Sequence, residues 1–377
     1  MIKQTNNYTH SLFPYPAKFP PEPIKDIIEN LSNEGDSVLD PFCGSGTVLV
    51  ESILRKRSVT GIELNPVGAL VSRAKSRIYK KSQLASLDKT IEMLAVVERE
   101  RDSWIEQVLS SKAMPAYKNM DHWFQPNMVE ELAAIRSAIL TNPAYNSGIH
   151  DLLWMAFLKI IVPVSNQESE TRYAAIVKPE IHNGYAIKKF RQTISEYRAT
   201  LKDSLPVVKD LQYQDPKVYE GDTLATMATL SDSMFDLVVT SPPYINTFDY
   251  YLYHKHRIFW LGKDPQLIRK SELGCHHRID TMTYVRALNE YRDYLLGVFT
   301  QIRRTLRPKK HVFIMIGDGI VKGQVIDSQK LVANLAQETG FRVEDISSVG
   351  LRQVSSRFIK DERIDRKNHH FITLKRK

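Results

Sequence analysis

The stretch FDLVVTSPPYINTFDYY, residues 235–251, begins as a buried strand and ends in a turn that a strand cannot continue. Leu237 to Val239 is apolar, and Ser241, Pro242, Pro243 and Tyr244 break the run at once. Each proline fixes φ and lacks an N–H, so the turn is stiff and its carbonyls are free of a backbone ladder. A stiff turn at the C-terminal edge of a strand, closed by an aromatic, suits holding a flat ring beside a hydrogen-bond acceptor.

Outward from this strand the chain alternates between the periods of strand and helix. KVYEGD (217–222), HVFIMIGDG (311–319), FRVEDISS (341–348) and HHFITLKRK (369–377) read as strands. A helix carrying Leu288, Tyr291, Leu295, Phe299, Ile302 and Leu306 on one face lies between them, and SQKLVANLAQETG forms another that ends at Gly340. Upstream, SVLDPF (37–42) and SVTGIEL (58–64) are strands, with helices over 22–31, over 47–55 and through about Lys75. The region between differs. Leu84, Leu87, Ile91 and Leu94 recur at helical spacing, as do Met128, Leu132, Ile135 and Ile139, and Phe190, Ile194, Tyr197 and Leu201. LLWMAFLKIIV (152–162) is apolar all round and reads as a buried helix, with loops near AMPAYKNMDHWFQPN and PVSNQESETRYA. The pattern predicts an α/β fold: a doubly wound, largely parallel sheet built from 1–75 and 215–377, interrupted by a mostly helical insertion over 76–214.

Composition narrows the class. In 377 residues, 42% hydrophobic and 25% charged content is that of a globular chain, and no apolar run approaches the length of a membrane helix. The amino-terminal MIKQTNNYTHSLFPYP lacks the apolar core of a secretory signal, and Cys43 and Cys275 make neither a disulfide framework nor a zinc site. A cytoplasmic protein without a membrane partner is expected. Net charge is +9, and residues 351–377 hold nine Lys/Arg against three Asp/Glu. With RRTLRPKKH (303–311) they offer cations to phosphates, or form a solvated basic surface; charge alone does not choose.

LDPFCGSGTVLVES (39–52) ends a strand at Asp40, turns through Gly44 and Gly46 and starts a helix near Thr47. In doubly wound sheets this places a ligand at a strand edge against a helix N-terminus. Glu63, 17 residues beyond Gly46, falls where an acid accepts from ribose hydroxyls. A dinucleotide site expects a third glycine at position 49, which here is Leu49, so the expected ligand is a nucleoside without pyrophosphate. In EGDTLATM (220–227), Asp222 stands at a strand end, where an acid can meet an adenine amine; taken alone, a helix cap accounts for it more simply. CHHR (275–278) and NHH (368–370) have no partner at zinc spacing, so no metal is expected.

DPFCGSGT followed by TSPPY resembles the DNA amino-methyltransferases, which methylate cytosine N4 or adenine N6 with S-adenosylmethionine. HSLFPYPAKFPPEPI (10–24) also resembles the family's segment over the cofactor's methionine end. The resemblance covers about 1–75 and 215–377, and implies a Rossmann-like methyltransferase sheet. Position by position it implies that Asp40, Pro41, Phe42, Gly44, Gly46 and Thr47 line the cofactor, with Glu63 on its ribose and Asp222 and Thr223 at its adenine. Tyr15, Pro16, Ala17, Lys18 and Phe19 would close over the methionine. Ser241, Pro242, Pro243 and Tyr244 would form the catalytic turn. Ser241 in the first place of the tetrad favours cytosine N4, with adenine N6 as the alternative.

The resemblance further implies double-stranded DNA as substrate, a restriction-modification setting, and room for a cognate restriction endonuclease. Neither the recognition sequence nor the oligomeric state follows from it. The insertion precedes Asp222, which leaves 76–214 as the region expected to recognise the target. Trp123 and Phe124 there are either stacking contacts or the insertion's own core, and NTFDYYLYHKHRIFW (246–260) is a possible wall of the base pocket. The rival readings are an RNA or protein-glutamine methyltransferase, a non-catalytic DNA-binding subunit and a nicotinamide oxidoreductase.

Overall fold

The structure is a computed structural model that describes residues 8–16, 18–109, 114–141, 147–170, 172–211, 215–350 and 367–377. The chain divides into two compact units. One comprises 19–65, 216–250 and 268–377; the other comprises 1–18, 66–215 and 251–267.

The first unit is built on a seven-stranded sheet. Its strands are β1 (Ser37–Asp40), β2 (Ser58–Glu63), β5 (Lys217–Glu220), β6 (Phe235–Thr240), β7 (Leu306–Gly317), β10 (Phe341–Gly350) and β11 (Asn368–Arg376), and the intervening β3 (Gln167–Ser169) and β4 (Arg172–Ala175) pair in the other unit. The order is β10-β11-β7-β6-β1-β2-β5. β7, β6, β1, β2 and β5 run parallel, and β11 is antiparallel to β7 and β10. All six residues of β6 are buried, as a central parallel strand covered on both faces requires.

The connections make the sheet wind both ways. β1 leads through helix Thr47–Leu54 to β2 on one side, and β6 leads through helix Tyr284–Thr305 to β7 on the other. The reversal falls between β1 and β6, where Val38 pairs with Leu237 and Leu39 with Val238. A doubly wound sheet places its ligand at such a switch point, at the carboxyl ends of the two strands. A short hairpin, β8 (Gly319–Val321) with β9 (Gln324–Ile326), follows β7.

The second unit is mostly helical, and the β3–β4 hairpin lies where the sequence reads only as a loop. Residues 66–75 and 251–267, which the alternation places with the sheet, cluster with the helices of 76–215. The packing gives the reason. Trp260 is fully buried edge-to-face against Phe124 and Phe157, and Arg136 Nε donates to its carbonyl at 2.9 Å. Arg257, also buried, donates to Leu158 O at 2.8 Å and to both Glu170 oxygens at 2.7 Å. Phe124 is therefore core, and Trp123 packs on Tyr173 and His256.

Glu131 ties this unit together. Its fully buried carboxylate, on helix Pro126–Thr141, accepts from Gly184 N (2.5 Å) and Ala186 N (2.8 Å) at the start of helix Tyr185–Val208, and from Arg101 Nε (2.7 Å). A buried acid that caps a helix and holds a guanidinium leaves several partners unpaired when removed. Glu131→Ala is expected to lower stability by about 3 kcal/mol in urea unfolding. An unchanged midpoint would show that the helix start is held by other means.

Candidate active site

The switch point brings the two sequence motifs onto adjacent strand ends. β1 ends at Asp40 and β6 at Thr240, and the Thr240 hydroxyl donates to Asp40 Oδ1 at 2.9 Å. The same oxygen accepts from Phe42 N at 3.1 Å, which bends the chain out of the strand into the glycine loop. Gly44 and Gly46 both take left-handed backbone, φ 49° and 80°, and Gly46 is the N-cap of helix Thr47–Leu54. Only glycine enters that region without strain, so both are fixed by the turn.

Glu63, at the end of β2, braces this loop from beside it. Its carboxylate accepts from Gly44 N at 2.8 Å and from Asn65 N at 2.7 Å. Gly61 matters for the same approach: a Cβ there would lie 2.9 Å from Cys43 Sγ. Thr223, buried, donates to Pro41 O at 2.8 Å, which joins the start of helix Thr223–Ala228 to the loop. Asp222 is the N-cap of that helix, accepting from Ala225 N at 2.9 Å, and its other oxygen accepts from Tyr294 OH at 2.7 Å. The helix-cap reading of Asp222 is thus realised, and Tyr294 is a partner that spacing did not reveal.

The Ser241–Tyr244 turn is held from outside because it cannot hold itself. With no N–H at Pro242 or Pro243, its anchors are side chains and glycine contacts of other segments. Tyr291 OH, buried in helix Tyr284–Thr305, donates to Pro243 O at 2.8 Å. The Tyr244 ring lies on Gly317, where a Cβ would come within 2.6 Å of it, and edge-on to His369 at 5.6 Å. Its hydroxyl is 3.4 Å from both Ser241 Oγ and His369 Nδ1. Asn246 Nδ2 donates to Ile320 O at 2.6 Å, and its N–H donates to Gly274 O at 2.6 Å. Burial pushes the Tyr244 phenol up to about 12, so it stays protonated at neutral pH.

Of the other expected residues, Phe19 is buried and its carbonyl accepts from Thr47 Oγ1 at 3.4 Å. Tyr15 packs on His254 at 4.8 Å and Lys18 Nζ donates to His10 O, both within the helical unit. Ala17 lies outside the described residues, as does the 351–366 part of the basic tail. In RRTLRPKKH, Arg304 pairs with Asp232, Arg307 with Asp236, and Lys310 with Asp236 and Asp36, so these three cations brace their own unit. Asp249, Cys275 and His277 bring donor atoms within 4.8 Å of one another, a grouping invisible in the spacing of CHHR. Asp249 Oδ1 accepts from His276 N and the Cys275 thiol donates to Glu272 O, which pins 249 to the 272–277 loop.

The DNA methylase family (N6_N4_Mtase) matches residues 2–69, the segment that holds the glycine loop and Glu63. Type II methyltransferase M.MvaI of Kocuria varians is 27% identical over 64% of this chain and 54% of its own length. Type II methyltransferase M.BsoBI of Geobacillus stearothermophilus is 23% identical over 79% of this chain and 61% of its own. Over these segments the chain is similar to DNA methyltransferases. It spans a little over half the length of these relatives. Among solved structures, geranyl diphosphate methyltransferase is 10% identical with a TM-score of 0.38, covering 95% of this chain and 78% of that one, a likeness too low to bear on the fold.

The glycine loop's two acids share a dry environment. Burial pushes Asp40 up to about 7 against the bonds from Phe42 and Thr240, and the nearby Glu63 charge adds to the rise. Burial likewise lifts Glu63 to about 7, against the backbone bonds from Asn65 and Gly44. A carboxyl raised from its ordinary 3.8 or 4.5 binds more protons folded than unfolded, so its contribution is full below about pH 4 and is lost as pH rises to about 7. Asp40→Asn and Glu63→Gln are each expected to flatten the fall in thermal midpoint over that window. Variants that keep the parental slope would place the titration elsewhere. No described helix is long and apolar enough to cross a membrane.

Proposed function

We propose that the chain is a DNA methyltransferase that transfers a methyl group from S-adenosylmethionine to the exocyclic amine of a base turned out of the duplex, with cytosine N4 as the target. One observation carries the reading: the glycine loop and the Ser-Pro-Pro-Tyr turn leave adjacent parallel strands at the switch point, joined by the Thr240–Asp40 bond. The match of residues 2–69 to the DNA methylase family supports it, as do the similar proteins' names as Type II methyltransferases.

The residues present fit the cofactor chemically. Asp40 and Glu63 are acceptors beside a left-handed glycine turn, and a carboxylate holding two backbone N–H groups keeps lone pairs for a ribose hydroxyl. The sulfonium of S-adenosylmethionine, when bound, supplies the methyl group as an electrophile. Glu63 would hold the ribose, Asp222 and Thr223 would meet the adenine, and Phe19, beside Thr47, would cover the methionine.

An exocyclic amine on a base is a poor nucleophile because its lone pair is delocalised into the ring. Ser241 Oγ and the Pro242 carbonyl would accept its two N–H groups and favour a pyramidal nitrogen with a localised lone pair. The rigid Pro-Pro backbone fixes those acceptors before the base arrives, which is a contribution of orientation. Tyr244 would stack on the base, which must leave its helix to reach the turn. Residues 76–214 are our candidate for target recognition. Double-stranded DNA is the proposed substrate, and a cognate endonuclease the proposed companion.

The test is transfer of labelled methyl from S-adenosylmethionine to unmethylated DNA, followed by mass spectrometry of the nucleosides. N4-methylcytosine is the expected product. N6-methyladenine would keep the reaction and overturn the base; unlabelled DNA with cofactor binding intact would overturn the substrate.

A further inference from the structure

In the unit that carries the sheet, three donor side chains converge away from the glycine loop. Asp249, Cys275 and His277 each offer one ligand atom, and the three atoms lie within 4.8 Å of one another. His277 Nε2 is 3.8 Å from Cys275 Sγ, and its Nδ1 is 3.7 Å from Asp249 Oδ1. Donors on a tetrahedral zinc ion stand about 3.3–3.6 Å apart, so the set closes by roughly 1 Å or less, within reach of side-chain torsions.

The backbone prepares this meeting. Two segments are cross-bonded here: Asn246 N donates to Gly274 O at 2.6 Å, Tyr250 N to Glu272 Oε1 at 2.6 Å, and His276 N to Asp249 Oδ1 at 2.8 Å. His276 is spent on the same task, its Nδ1 lying 2.7 Å from Asn246 Oδ1 and its Nε2 3.1 Å from Thr247 O. His277 is therefore the histidine that faces the thiol. The Arg269 backbone also bonds to the His277 ring. An imidazole that ligates a metal ordinarily gives its other N–H to such a carbonyl. Cys275 is fully buried, whereas the Asp249 and His277 side chains keep 15% and 19% of their surface, which opens the group to solvent on one side. A thiolate with an imidazole selects zinc over magnesium or calcium, which take oxygen donors. The thiolate and the carboxylate neutralise a dication, so the nearby Arg269 charge does not oppose it.

We propose that Asp249, Cys275 and His277 bind one zinc ion, with water in the fourth position, and that the ion clamps the 246–250 segment to the 272–277 loop. On binding, a sulfur–zinc bond replaces the Cys275 S–H bond and the proton leaves to solvent; no electron is transferred. The thiol gives up its 3.2 Å bond to Glu272 O in exchange. The ion is structural and takes no part in methyl transfer.

The experiment uses the full chain under reducing conditions, stripped with a chelator and titrated with zinc chloride, alongside Cys275→Ala and His277→Ala. Cobalt chloride is the optical probe. The parent is expected to hold one zinc per chain, to gain thermal midpoint with zinc, and to show with cobalt a thiolate charge-transfer band and tetrahedral d–d bands. Both variants should bind zinc at least about tenfold more weakly and lose the thermal gain, and Cys275→Ala should lose the charge-transfer band. A parent that takes up no stoichiometric zinc would overturn the site. So would variants that bind as the parent does, or a cobalt complex without the thiolate band, since either places the ion elsewhere. If Cys275→Ala fails to fold, His277→Ala decides by the same readings. Every readout is independent of methyl transfer, so failure here and failure of the proposed function are told apart.

Discussion

Ser241→Ala is expected to lower the methyl-transfer rate by about two to three orders of magnitude, the range seen when one preorganised polar group at a reacting centre is removed. The loss should fall on turnover, with affinity for S-adenosylhomocysteine within about twofold of the parent. The two sites separate in the structure: the glycine loop is organised by Asp40 and Glu63, which bond to Thr240, Phe42, Gly44 and Asn65 and not to Ser241. Single-turnover transfer with calorimetry on the same preparation checks both halves. Turnover near the parental rate would remove the Ser241 hydroxyl from the reaction. Equal loss of transfer and of cofactor affinity would mean instead that the substitution had disturbed the loop.

Gly319→Ala should be as damaging to activity although residue 319 carries no reacting group. A Cβ at Gly319 would lie 2.3 Å from Ile245 O and 2.4 Å from Ile245 Cγ2, closer than atoms can approach, and one of the two is backbone. Relief requires displacement of β8 or of Ile245, and Ile245 is bonded directly to Tyr244. Overpacking of this kind lowers stability by about 1–3 kcal/mol. Transfer should fall by about a hundredfold, because a shift of about 1 Å in positioned groups has that effect. Gly323, also in this hairpin region, meets nothing within 4 Å of a built Cβ and serves as the matched control for a lost glycine, although its φ of 80° adds local strain. Parental activity in Gly319→Ala would show that the hairpin does not set the position of the turn.

Both predictions bear on how far the sequence reaches. The β6 strand was legible because a central parallel strand has to be apolar on both faces, and the Ser-Pro-Pro-Tyr break marked its end. β1, β2, β5, β7, β10 and β11 follow from the same alternation, each within a few residues of expectation apart from the early start of β7 at Leu306. The short helices Tyr250–Tyr253, Lys255–Trp260, Pro265–Ser271 and His276–Ile279 were not legible, since four to seven residues carry too little periodicity. Nor was the clustering of 251–267 with the helical unit, which depends on Trp260 and Arg257 meeting Phe124, Phe157, Leu158 and Glu170.

By itself the sequence determined the parallel sheet, the glycine loop, its two acids and the proline turn, because backbone chemistry restricts each to a few residue types at fixed local spacing. The tertiary structure alone decided what holds those parts in register. Thr240 reaches Asp40 across 200 positions, Tyr291 reaches Pro243 across 48, and Thr223 reaches Pro41 across 182. It also showed Tyr294 on Asp222. Contacts of that kind leave no periodic trace, since a hydroxyl or an amine fits many environments and the fold selects its partner.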